Sequence, residues 1–151
     1  MVNAGILGKT YPPTPPYLVG REKVREFSRA VMLDAPHHYD PEAARAAGYS
    51  DIVAPPTFAI ILQSATLQQL KADEETGIDF ARVVHGEQDF RYSRPIVAGD
   101  ELSGVLTIIG VRQAGGNTLV TYSTDMSDAS GAHVVTSTST LVVRGAATDR
   151  A

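Results

Sequence analysis

The stretch from Thr57 to Ala72 constrains this chain most. Its opening run, Phe58-Ala59-Ile60-Ile61-Leu62, is apolar at every position, and polar residues accumulate only from Gln68 to Glu75. A helix that is apolar all round has to be buried on every side. A helix that enters a core headfirst and leaves it wet is best accommodated by a sheet wrapped around it. At five residues the apolar run is far too short to span a bilayer, so no membrane segment is expected.

The character of the chain changes after Gly77. Four segments, Val83 to Ser93, Leu102 to Gln113, Thr118 to Met126 and His133 to Arg144, are rich in Val, Ile, Thr and Tyr and read as strands. The last alternates, with Val135, Ser137, Ser139, Leu141 and Val143 on one face. Gly115-Gly116-Asn117 and Ser130-Gly131 supply hairpin turns. Upstream, Val24, Phe27, Ala30 and Val31 recur at helical spacing within Arg21 to Met32, with Gly20 at the start. Pro41 to Ala47 predicts a second short helix, with Asp40 as its cap and Gly48 as its stop. Four prolines in Pro12-Pro13-Thr14-Pro15-Pro16 forbid a helix or a central strand, so residues 1–16 read as an extended arm on the surface. Residues 146–151 read as a short disordered tail. Helices followed by antiparallel strands make an α+β domain, and 151 residues suit a single one.

Charge and composition narrow the chemistry. A net charge of -4 with no Lys/Arg run argues against nucleic acid as a partner. The chain has no cysteine, which removes thiolate nucleophiles, disulfides and Cys-ligated metals together. No apolar run follows a basic start, so no signal peptide is expected and a cytoplasmic location is the default. The four histidines lack ligand spacing, so no metal site is expected. Gly115-Gly116 sits between strands rather than opening a helix, so no phosphate loop is expected either.

Three blocks carry a family resemblance: Asp34 to Tyr49 with its Pro36-His37-His38-Tyr39-Asp40-Pro41 element, Asp51-Ile52-Val53-Ala54-Pro55-Pro56-Thr57-Phe58, and Val84 to Leu102 with its Tyr92-Ser93-Arg94-Pro95 and Ala98-Gly99-Asp100 elements. Together they resemble MaoC-like dehydratases and, most closely, the FAS1-like branch, which includes non-catalytic partner subunits of (3R)-hydroxyacyl-ACP dehydratases. The resemblance implies a hot-dog fold, a curved antiparallel sheet around a long central helix. It implies an acyl-CoA or acyl-ACP thioester as ligand, no cofactor, and dimerisation either with a second copy or with a MaoC-like chain.

The family's hydratase motif is Asp-x-Asn-Pro-x-His. Pro36 and His38 fall on its Pro and His, whereas Leu33 falls on its Asp and Ala35 on its Asn. In the family, the Asp and His handle the α-proton and the hydroxyl, and a backbone N–H at the entrance of the central helix binds the thioester oxygen. His38 is therefore the candidate base, or else a loop His bonded to a carbonyl. Asp34 is either a displaced replacement for the missing Asp or a turn residue. In an extended segment the shift of one residue turns it to the other side, and adjacent His37 and His38 should likewise point apart. At the helix entrance the family usually has Gly where this chain has Pro56, which has no N–H. Thr57 and Phe58 remain as donors. His85 alternates with Val84 on a strand and is either structural or a substrate contact. The candidate site residues are thus His38 and Asp34 for catalysis and Pro56, Thr57, Phe58 and His85 for substrate. Two functions follow. One is a channel-forming subunit with an incomplete site; the other is a self-sufficient homodimeric hydratase using His38 and Asp34. A non-catalytic acyl-thioester binding module is a third. A thioesterase of this scaffold would be expected to carry a carboxylate on the helix, where Phe58 to Leu67 offers only Gln63, Ser64 and Thr66 as polar side chains.

Overall fold

The computed structural model describes residues 1–145; the expected tail lies outside the described residues. Five antiparallel strands form one curved sheet: β1 (Tyr17–Leu18), β2 (Val83–Tyr92), β3 (Glu101–Ala114), β4 (Asn117–Asp128) and β5 (His133–Val143), in the order β1-β3-β4-β5-β2. Three α-helices precede β2: α1 (Arg21–Ala30), α2 (Pro41–Ala46) and α3 (Ile60–Ala72). The four long strands expected from the sequence are all present, as is the helix the sheet embraces. β3 and β4 meet at a tight turn in which Gly115 and Gly116 both take positive φ, 56° and 77°, as a primed hairpin turn demands.

The sheet's inward faces and α3 enclose two apolar clusters. Around the entrance of α3, Phe58, Leu62, Ile52, Ile96, Leu102 and Met126 pack together. Around its exit, Leu70 packs with Ile6, Leu106, Ile108, Val120 and Tyr122. Between them a polar step joins helix to sheet: Thr66 and Thr124, both fully buried, share a hydrogen bond at 3.0 Å. Gly104 makes this close approach possible, because a Cβ there would sit 3.0 Å from the Thr66 methyl and 3.1 Å from the Thr124 methyl.

Two expectations need correction. First, α3 is not buried all round in the single chain. Ser64 and Ala65 are exposed and Ile60 and Ile61 half-buried, because the sheet covers one side of the helix and nothing within the described residues covers the other. Second, the α-helix begins at Ile60 rather than Thr57. Pro55 and Pro56 contribute no N–H, and the following residues close tighter i→i+3 bonds, Phe58 to Pro55, Ile60 to Thr57 and Ile61 to Phe58.

The N-terminal arm is more than a surface lead-in. It runs along the otherwise free edge of β3, with Gly8, Tyr11 and Thr14 donating to the carbonyls of Ile108, Leu106 and Gly104. It is also pinned to the end of α3, where Tyr11 Oη donates to Asp73 at 2.6 Å and Lys9 pairs with Asp73 at 2.6 Å. Lys9 and then Tyr11 hold the Asp73 carboxyl below its ordinary range. The opposite edge of the sheet, β2, pairs only with β5 among the described residues. No helix among them is long and apolar enough to cross a membrane.

Candidate functional site

A cleft of about 560 Å³ opens between the segment after α1, the entrance of α3 and the end of β2. His38 sits in its wall, 6% exposed. Its Nδ1 lies 2.6 Å from the Val53 carbonyl oxygen. A carbonyl only accepts, so Nδ1 carries a proton, and in the neutral ring Nε2 is the acceptor. His37 also lines the cleft, its ring centroid 4.3 Å from that of His38. The expectation that the two rings point apart is thus corrected. Pro36–His38 is a 3-10 turn rather than an extended strand, and neighbours on such a turn diverge by about 120°. Burial and the neighbouring His38 lower the His37 pKa, which keeps that ring neutral at pH 7.

Among the described residues no carboxylate lines this cleft. Leu33 does, whereas Asp34 is exposed and outside the lining, so the structure does not bring Asp34 and His38 together. The helix entrance is similarly sparse in donors. Pro56 lines the cleft but has no N–H, and its carbonyl accepts from the Tyr92 hydroxyl at 2.6 Å. Phe58 is fully buried, packs edge-on against Phe27 at 5.3 Å, and spends its N–H on the Pro55 carbonyl at 2.9 Å. Neither its ring nor its amide is available to a ligand. Thr57 is exposed, and its N–H has no backbone partner among the described residues, but it stands outside the lining.

Sequence reasoning missed Tyr92 and Arg94 as cleft residues. Burial pushes the Tyr92 phenol up to about 12, so it stays protonated and committed to Pro56. Arg94 lines the cleft and forks onto Asp100 at 2.8 and 3.0 Å while reaching Asp128 at 3.1 Å. The available signal was the Ser93-Arg94-Pro95 to Asp100 spacing: Asp100 also accepts the Val97 N–H at 2.9 Å, so one carboxylate closes the turn and holds the Arg.

His85 is not part of this cleft. It lies seven residues from Tyr92 along β2, roughly 20 Å away at the usual rise, and lines a second cleft of about 270 Å³ beside α3. The six residues nominated from the sequence are therefore divided. His38 and Pro56 meet in one cleft, His85 lines another, and Asp34, Thr57 and Phe58 line neither.

Comparison with known proteins agrees with this architecture. Residues 6–137 match the family model described as "FAS1-like, dehydratase domain region". A UPF0336 protein of Clavibacter michiganensis is 60% identical over 144 residues, covering 95% of this chain and 97% of that protein. Among solved structures, a MaoC-like dehydratase superposes with a TM-score of 0.86 at 38% identity, covering 93% of this chain; the chain spans 43% of that longer one. The C-terminally truncated HadBC (3R)-hydroxyacyl-ACP dehydratase complex of Mycobacterium tuberculosis superposes at 0.80 with 34% identity, covering 91% of this chain and 96% of that one. The curved sheet around α3 is thus a hot-dog fold.

Proposed function

The chain belongs to the FAS1-like dehydratase family, and from that premise we propose that it is the subunit of a (3R)-hydroxyacyl-thioester dehydratase that shapes the acyl-chain channel, paired with a MaoC-like chain that carries the complete acid–base set. The observation that carries this reading is the cleft at His38, which holds two imidazoles, His37 and His38, and among the described residues no carboxylate, while at the helix entrance Pro56 has no N–H and the Phe58 N–H is spent on Pro55. Dehydration removes an α-proton and expels a β-hydroxyl, so it needs a group to take a proton and a group to give one. It also needs a donor for the enolate-like oxygen. The two imidazoles can handle a proton, but with no carboxylate beside them and no N–H on Pro56 the set for both transfers and for the oxygen is incomplete. The unpaired β2 edge and the exposed side of α3 give a partner chain a surface to cover. The ligand is an acyl-CoA or acyl-ACP thioester, and no cofactor enters the reaction.

The test is hydration of crotonyl-CoA by the purified chain alone and after addition of a MaoC-like partner. Turnover only with the partner supports the reading. Turnover by the chain alone, abolished by His38→Ala, overturns it in favour of a self-sufficient homodimeric hydratase. One observation favours that second reading: with Nδ1 donating to the Val53 carbonyl, Nε2 of the neutral ring is the lone pair a general base requires, and it has no partner among the described residues.

A further inference from the structure

We infer that Ser93 is a nucleophile for acyl transfer from a small activated carboxylic ester, with His133 as its general base. The side chains of this site come from the end of β2, from β5 and from β4, and their hydrogen bonds form one chain with a single direction. Thr136 Oγ1 donates to Asp125 Oδ1 at 2.5 Å. A carboxylate only accepts, so the hydroxyl proton of Thr136 is spent there. Its oxygen is left to accept from His133 Nε2 at 2.8 Å. In the neutral ring Nδ1 is then the lone pair, and Ser93 Oγ, 2.5 Å away, is the donor to it. A hydroxyl that aims its proton at an imidazole lone pair, on a ring whose far side is tied toward a carboxylate, is the arrangement that makes a serine nucleophilic. Here Thr136 stands between ring and carboxylate and sets the tautomer.

The fold builds this site by one irregularity. Regular alternation puts strand residues three apart on opposite faces, yet His133 and Thr136 meet. The β4–β5 register shifts beside them: Met126 faces Val135 and Ser127 faces His133, so Val134 is an extra residue, and both valines are fully buried. The bulge brings His133 onto the face of Thr136. That face is the outer one, because Thr136 and Asp125 alternate with Ser137 and Thr124, which bond to Gln63 and Thr66 of α3. The relay thus lies away from the exposed side of α3 and from the free edge of β2. Ser93 is exposed, is turned to β5 by its N–H bond to the Val134 carbonyl at 2.8 Å, and lines the rim of the His38 cleft. Pro95 and Ile96 of that cleft are apolar and suit the carbon portion of an ester. The N–H of Arg94, the residue after the nucleophile, has no partner among the described residues. That is the place from which a serine on a strand-end turn draws an oxyanion donor.

In the acylation step Ser93 Oγ bonds to the ester carbonyl carbon as its proton passes to His133 Nδ1. The bond from that carbon to the alcohol oxygen breaks, and the proton leaves on the alcohol. Water then attacks the acyl-serine by the same route, releasing the acid and restoring the hydroxyl. None of this rests on the dehydratase reading. The test treats the full chain with a fluorophosphonate and, separately, with p-nitrophenyl acetate. By peptide mass mapping, the fluorophosphonate should attach to Ser93 about 10²-fold faster than to Ser130, which is exposed but donates to Asp128 rather than to an imidazole. Ester hydrolysis should fall about 10²-fold in Ser93→Ala and in His133→Asn. It should fall about tenfold in Thr136→Val, the worth of one hydrogen bond. On the unaltered chain, imidazole nitrogen NMR should place the proton of the neutral His133 ring on Nε2. Labelling no faster at Ser93 than at Ser130 overturns the inference. So does a Ser93→Ala or His133→Asn chain that hydrolyses the ester at the unaltered rate, or a neutral His133 ring protonated on Nδ1. Crotonyl-CoA hydration, present or absent, bears on none of these readouts.

Discussion

The two clefts each contain a histidine, but they hold it by different means. His38 is tied to a backbone carbonyl, that of Val53, which no side-chain substitution removes. His85 is tied to Gln88 and Ser139, and through them to a relay ending on α3 and β4. The first arrangement sets one tautomer locally and asks nothing of the core. The second spreads the same decision over five side chains on four elements, so it is sensitive to core substitutions. A backbone anchor suits a position whose surroundings have diverged, as Leu33, Ala35 and Pro56 have from the family motif. A relay suits a position whose orientation is itself selected by the core.

The largest effect that breaks this comparison removes what both clefts share. Phe58→Ala deletes a fully buried ring at the helix entrance and should cost about 3–5 kcal/mol in chemical denaturation, loosening both clefts together. Retention of full stability would show that the entrance of α3 is not a common support.

Next comes restoration of the missing chemistry on one side. Leu33→Asp places a carboxylate in the His38 cleft, and Pro56→Gly returns an amide to its wall. The double variant alone should raise crotonyl-CoA hydration by about 10²-fold over the unaltered chain, the scale of a positioned acid or base. His85→Phe should leave that gain intact, since His85 lines the other cleft. No gain at all would mean that the missing groups do not explain the deficiency.

Gln63→Leu sharpens the contrast with a smaller effect. It removes both the acceptor for Ser137 and the donor to Tyr122 in a buried place, so about 1–3 kcal/mol should be lost. The His85 tautomer mixture should change by NMR while that of His38 does not.

The smallest effect concerns acid stability at the wall of the His38 cleft. The Ser130 hydroxyl, then Arg94, hold the Asp128 carboxyl down to about 2 against an ordinary 3.8. A depressed folded pKa means the stabilisation is complete above 3.8 and is lost as pH falls from there toward 2. Ser130→Ala should raise the Asp128 titration midpoint by carboxyl NMR and move acid unfolding to slightly higher pH. An unchanged midpoint would assign the depression to Arg94 and the Ser130 and Ala132 amides.

Much of the architecture was legible because periodicity is a local property. The four long strands, α1, α2 with its Asp40 cap, and the Gly115-Gly116 turn all follow from residues within a few positions of one another. The Leu33 mismatch was equally readable, since it needs only the motif. The orientation of His37 was not, because a 3-10 turn and an extended loop share the same residue types. The exposed side of α3 was not legible either. Apolar composition demands cover but does not say which chain supplies it, and among the described residues the sheet reaches one side only.

The order of residues thus determined an α+β chain, a helix that needs wrapping and a motif short of its Asp and its helix-entrance glycine. Tertiary structure alone decided that His38 and His85 serve separate clefts and that each ring is held in one tautomer. It also decided that Gln63, the polar residue that ends the apolar run, completes a relay from β2 to β4. The physical reason is that hydrogen-bond direction depends on partners 15 to 74 positions away in the chain. Only folding brings such partners within 3 Å of one another.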